Sequence, residues 1–222
     1  MFEEIRIRVG DTVGEVSGLL LLPDGAKAIH VLGHGAGAGM RHPFLERVAR
    51  DLGEWGVATL RYQFPYLEAG KKRVDPPGIA EATVRAAIDA AAREAPELPL
   101  FAGGKSFGGR MTSQAMAKKP DARVRGLAFH GFPLHAPGRP GRERAAHLFD
   151  VRIPMLFLQG TRDALADLDL MREVTDELGA RATLHVVEGG DHSFAVLKRS
   201  GRTADEVFEE LADAAASWMG TR

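Results

Sequence analysis

Leu98-Pro99-Leu100-Phe101-Ala102-Gly103-Gly104-Lys105-Ser106-Phe107-Gly108-Gly109-Arg110-Met111 is the stretch on which the reading of this sequence turns. The apolar run Leu98–Ala102 reads as a buried strand that ends in the glycine pair Gly103-Gly104. Apolar spacing predicts a helix from about Phe107 to Lys118, following with almost no loop. Between the two, Gly104-Lys105-Ser106-Phe107-Gly108 matches G-x-S-x-G. The pattern is short and recurs by chance, so its context carries the weight. A serine in a strained turn between strand and helix presents its hydroxyl at the end of a sheet, and flanking glycines leave room for that turn. The helix start behind it also directs free N–H groups at a developing negative charge.

Working outward, the amino end reads as two strands, Ile5–Val9 and Gly14–Leu22, joined by a turn at Gly10-Asp11. Regular alternation follows: strands at Ala28–Leu32, Val57–Tyr62, Val124–His130, Ile153–Gln159 and Ala182–Val187. Helices are predicted at about Pro43–Glu54, Ile79–Glu94, Asp169–Leu178 and Thr203–Met219. Two antiparallel strands and then repeated βα units predict a mainly parallel sheet with helices on both faces, in one domain over residues 1–222. No segment is long enough for a large cap, so any lid comes from the loops at 63–77 and 131–147.

Two other motifs compete for these glycines. Gly104-Lys105-Ser106 imitates the end of a P-loop, but the required first glycine falls at Pro99, inside the strand. Gly33-x-Gly35-x-x-Ala38 imitates a dinucleotide fingerprint, yet His42-Pro43 starts its helix too late. The following strand also places Arg61 where an NAD site wants an acid.

A serine hydroxyl needs a base, and the base needs an orienting acid. With an elbow of this kind the chain order is serine, acid, histidine, the last two after strands. Asp163 follows Ile153–Gln159, and His192 follows the strand ending at Val187. Asp167 and Asp191 are the rival acids; His30, His147 and His185 fall within strand or helix positions. The loop His34-Gly35-Ala36-Gly37-Ala38-Gly39 would bring a second N–H to pair with that of Phe107. Ala36 is the expected donor, with Gly35 and Gly37 as neighbouring alternatives.

The 222 residues carry 29 Lys+Arg against 30 Asp+Glu, a net charge of −1, which argues against nucleic acid or an anionic membrane as partner. No cysteine is present, so disulfides, thiolate nucleophiles and zinc–thiolate sites are excluded. The start, MFEEIRIRVGD, lacks the layout of a secretory leader, and the expectation is a cytoplasmic protein with a small-molecule substrate. Neither a metal nor an organic cofactor is needed for this chemistry.

GHGAGAG, LRYQFPY, GGKSFGGRM, GFPLHAPGRP, PMLFLQGTRD and GGDHSF occur in order between about residues 28 and 218. Together they resemble the small α/β hydrolases related to dienelactone hydrolase, within them the subgroup containing testis-expressed and chromatin-complex hydrolase-like proteins. The resemblance implies an α/β-hydrolase fold without a cap and the triad Ser106, Asp163 and His192. Serine stands where the dienelactone branch has a cysteine nucleophile, which puts dienelactone chemistry in doubt. Lys105, Arg61, Phe64 and Tyr66 are candidate substrate contacts; Phe64 and Tyr66 would either line an acyl pocket or anchor their loop on the core. With Arg41, Arg110 and the run Lys71-Lys72-Arg73, the cations would either favour an anionic substrate or serve as surface charges and salt bridges. The rival to an esterase-like enzyme is a non-catalytic interaction module on the same fold.

Overall fold

The computed structural model describes residues 2–220. Strand β1 (Glu3–Gly10) pairs antiparallel with β2 (Gly14–Leu21), and β2 pairs antiparallel with β4 (Val57–Tyr62). The remaining strands, β3 (Ala28–Gly33), β5 (Leu100–Lys105), β6 (Val124–His130), β7 (Met155–Gly160) and β8 (Ala182–Val187), run parallel with β4. The eight strands form one sheet in the order β1-β2-β4-β3-β5-β6-β7-β8. Every residue of β3, β4, β5 and β7 is buried, as mainly apolar strands covered on both faces should be.

Helices α1 (Pro43–Glu54) and α6 (Ala204–Gly220) cover one face through Leu45, Val48, Leu52, Val207, Leu211 and Trp218. On the other face lie α3 (Pro77–Glu94), α4 (Phe107–Lys118) and α5 (Leu168–Leu178), through residues such as Val84, Met111 and Val174. The expected fold class is therefore the one observed, with no large cap. No described helix is long and apolar enough to cross a membrane.

Several boundaries differ from the sequence expectation, each for a physical reason. Strand β5 does not stop at Ala102; it continues through Gly103 and Gly104 to Lys105. Both glycines have positive φ (155° and 145°), and a Cβ on either would overlap a neighbouring strand, at the Ala128 carbonyl of β6 or the Gly33 carbonyl of β3. The pair reads as a turn signal but serves close strand approach. The loop after β4 contains one short helix, α2 (Pro65–Glu68), too brief to show periodicity. Residues Glu143–Asp150 form a 3-10 helix against α4.

Gly103→Ala should destabilise by at least about 3 kcal/mol in urea unfolding, because backbone rather than a movable side chain opposes the methyl. Gly78→Ala, in the first turn of α3 with open space around it, should instead stabilise by about 0.5 kcal/mol.

Candidate active site

Ser106 occupies the turn between β5 and α4 with φ 49° and ψ −110°, a left-handed conformation costing about 1–3 kcal/mol. What permits it is the packing around it. A Cβ on Gly104 or Gly108 would overlap the backbone of Gly33, and one on Gly33 would lie 2.7 Å from Tyr62 Oη. The two motif glycines therefore exist to let β5 and α4 press against the end of β3.

His192 Nε2 lies 2.9 Å from Ser106 Oγ, and His192 Nδ1 lies 2.8 Å from Asp163 Oδ2. The Asp163 side chain is fully shielded from solvent. Burial pushes its pKa up, but hydrogen bonds from His192, the Leu165 N–H (2.8 Å) and Gln159 Nε2 (2.6 Å) outweigh that and hold it below the usual carboxylate value. An ionised carboxylate only accepts, so Nδ1 carries the ring proton and the Nε2 lone pair faces the serine hydroxyl. Three sequence-separated residues thus meet in a geometry suited to proton abstraction from Ser106.

The rival acids have other tasks. Asp167 caps α5, accepting from the Asp169 and Leu170 N–H groups. Asp191 accepts from the Ser193 and Ala195 N–H groups, closing the tight turn that presents His192. A second serine–histidine pair exists at Ser113 Oγ and His147 Nε2, 2.7 Å apart. There Ser113 is fully buried within α4 and also bonds the Arg110 carbonyl, so no substrate reaches it.

The loop from His34 to Gly39 is shaped from below. Phe64 N–H donates to His34 Nε2 (3.1 Å), which leaves the proton on Nδ1 to donate to the Gly35 carbonyl (2.7 Å). Burial pushes His34 down to about 4, so it stays neutral and keeps that tautomer. Gly37 N–H donates to Tyr66 Oη at 2.8 Å, which removes Gly37 as an oxyanion donor. Ala36 N–H bonds to no described residue, and Phe107, first in α4, has no intrahelical partner for its N–H. A Cβ on Gly35 would lie 3.9 Å from Ser106 Cβ, so the loop runs beside the nucleophile.

A cavity of about 300 Å³ opens here, lined by Ala36, His42, Phe44, Leu45, Leu165, Ser106 and His192 among others. Of the four candidate substrate contacts, only Lys105 lines it. The Lys105 ammonium donates to the His192 carbonyl oxygen. Arg61 is buried elsewhere, donating to the Met40 carbonyl (3.0 Å) and lying 4.3 Å from the Phe2 ring centroid. Phe64 packs against His34, Tyr62 and Phe107, and Tyr66 holds Gly37. Arg41 pairs with Glu4. Arg61, Phe64 and Tyr66 thus lie outside the lining of this cavity, and Phe64 and Tyr66 anchor the loop, the second of the two roles expected for them. Gln159 was not foreseen, although a polar residue closing an apolar strand is a signal that could have marked it.

The mainly parallel eight-stranded sheet, with a serine at a strand–helix turn and Asp and His on the loops after β7 and β8, defines an α/β hydrolase. Residues 26–220 match the family model described as Alpha/beta hydrolase domain, and the chain belongs to that family. The fold is similar to dienelactone hydrolase from Anabaena variabilis (21% identity, covering 100% of this chain and 97% of that one, TM-score 0.77). It is similar also to an α/β serine hydrolase homologue from Coxiella burnetii (18% identity, 97% and 96%, 0.75). A third likeness is to a serine hydrolase without a lid from Xanthomonas campestris (20% identity, 98% and 94%, 0.74).

Because His34 is held near pKa 4 when folded and lies near ~6.5 when unfolded, the unfolded chain binds the extra proton between those values. Stability tied to this group is full above about pH 6.5 and is lost as pH falls toward 4. His34→Gln should therefore lose about 2 kcal/mol less than wild type between pH 7 and pH 5 in urea unfolding. An unchanged pH slope would contradict the assignment.

Proposed function

We propose that this protein is a serine hydrolase working by acyl transfer on a small, uncharged ester. The observation that carries the reading is the hydrogen-bonded line from Asp163 through His192 to Ser106, at 2.8 and 2.9 Å. In the proposed reaction Ser106 Oγ attacks the ester carbonyl while His192 Nε2 takes its proton. The oxyanion is held by the N–H groups of Phe107 and Ala36, and the alcohol leaves with the proton from His192. Water then gives its proton to His192 and attacks the acyl-enzyme, releasing the acid and restoring Ser106. Asp163 holds the imidazole in orientation and stabilises its charged form throughout.

The cavity supports the substrate class. Its volume of about 300 Å³ lies at the small end for ligand sites, and Phe44, Leu45 and Leu165 give it apolar walls. Apart from histidines its one cationic lining residue is Lys105, whose ammonium already engages a main-chain carbonyl. That arrangement favours neutral over anionic substrates. The six ordered motifs favour placing the chain in the subgroup with testis-expressed and chromatin-complex hydrolase-like proteins.

A fluorophosphonate probe should label the wild-type protein at Ser106 and leave Ser106→Ala unlabelled. Asp163→Asn should retain the fold but lower kcat by about 10⁴ through the wrong imidazole tautomer. Neutral short-chain esters should exceed anionic ones in kcat/KM. A folded, inhibitor-free protein that resists the probe would instead support the non-catalytic interaction module.

A further inference from the structure

Lys105 is the first of the two variable residues of the G-x-S-x-G pattern and stands immediately before Ser106. Its side chain is almost wholly buried, yet no carboxylate lies within ion-pair distance of it among the described residues. The ammonium instead donates to the main-chain carbonyl of His192. It also lies 5.5 Å from the ring centroid of Phe44 and 5.4 Å from that of Phe194, and these rings stack on one another at 5.9 Å. Phe194 is two residues past His192 and has φ 61°, so the turn carrying the base contains a strained residue. Gly131 opens the remaining side: a Cβ there would lie 2.7 Å from Lys105 Nζ and 3.5 Å from Asp163 Oδ2.

We propose that Lys105 is a positioning residue for His192, its ammonium anchoring the histidine turn through the His192 carbonyl, so that loss of its proton at alkaline pH loosens that turn and slows the reaction. The inference rests on the acyl-transfer reading above. A neutral amine can still donate a hydrogen bond, but a charge-assisted one is roughly twice as strong. Attraction to the two aromatic faces disappears with the charge as well. The charged and titratable groups around Lys105 are His130 at the end of β6, Asp163 after β7, Asp191 and His192 after β8, and His42 preceding α1. Burial pushes Lys105 down to about 8, against the pull of Asp163 and Asp191.

The sign separates positioning from general stability. Folded Lys105 titrates near 8 and an unfolded lysine near ~10.4, so the unfolded chain binds more protons in that interval. Stability from this group therefore rises between pH 8 and 10, while the anchor weakens.

The test measures kcat and KM from pH 6 to 10 for wild type, Lys105→Met and Lys105→Arg. It also follows by NMR the His192 Nδ1 proton, which needs no turnover. Wild-type kcat should fall along an alkaline limb centred near about 8, and the Nδ1 signal should shift with the same midpoint. Lys105→Met should lower kcat roughly 10- to 100-fold with KM changed less than about threefold, and should lack the limb. Lys105→Arg, charged throughout, should recover part of kcat and move the limb beyond pH 10. A limb that survives in Lys105→Met overturns the proposal. Should that variant not fold, a wild-type Nδ1 signal that stays flat through pH 8 overturns it instead. Absence of fluorophosphonate labelling at pH 7 defeats the acyl-transfer reading, and the NMR titration still decides whether Lys105 holds the His192 turn.

Discussion

Backbone crowding where β3, β5 and α4 meet is the constraint from which the rest of the site follows. A side chain on Gly104 or Gly108 would overlap the main chain of Gly33, so the end of β3 lies almost against the start of α4. That contact holds Ser106 in its left-handed turn, which few residues adopt without enforcement. It also fixes the two ends that supply N–H groups. The loop leaving β3 begins at His34, and α4 begins at Phe107, so closeness at Gly33 brings the start of that loop and the start of α4 together beside Ser106. Strain at Ser106 is thus offset by packing that apolar strands and helices provide elsewhere in the core.

A second close approach serves Asp163 and His192. A Cβ on Gly160 would overlap the Gly190 carbonyl, and Arg162 N–H donates to that same carbonyl at 2.8 Å. The loops after β7 and β8 are thereby joined before either side chain is considered. Asp191 tightens its turn with two side-chain hydrogen bonds, and Asp163 collects three donors. Each loop is rigid for its own local reason, which preorganises the Asp163–His192 contact. Burial then sets protonation: it keeps His34 neutral as a support, whereas at Asp163 the hydrogen bonds overcome it and keep the charge.

The order of elements was readable because the parallel strands here are short, mainly apolar runs bounded by turn residues and the helices have clear faces. Strands β4, β6 and β8 and helices α1 and α4 occupy the residues expected from spacing alone. The meeting of Ser106, Asp163 and His192 followed from strand ends and chain order. What spacing could not convey is the purpose of a glycine. Gly103 and Gly104 signal a turn in one dimension and a close approach of neighbouring strands in three. Whether Arg61, Phe64 and Tyr66 face a substrate or anchor their surroundings stayed open in the sequence, because side-chain direction is set by packing. The structure turns Tyr66 to Gly37 and Arg61 to Met40.

The absence of a large cap has a consequence for how such a site can change. The cavity walls are parts of the elements that carry Ser106 and His192 and of the neighbouring α1. Phe44 is the clearest case: it lines the cavity, stacks on Phe194 and offers its face to the Lys105 ammonium. Shortening that side chain would enlarge the space for an acyl group. The same change would remove one aromatic face from a buried cation and one support from the turn that carries His192. Cavity size and the support of the His192 turn are therefore coupled through one residue of α1. Cavity shape is more freely altered at Leu165 or Leu45, whose aliphatic side chains line the cavity and offer no aromatic face to the Lys105 ammonium.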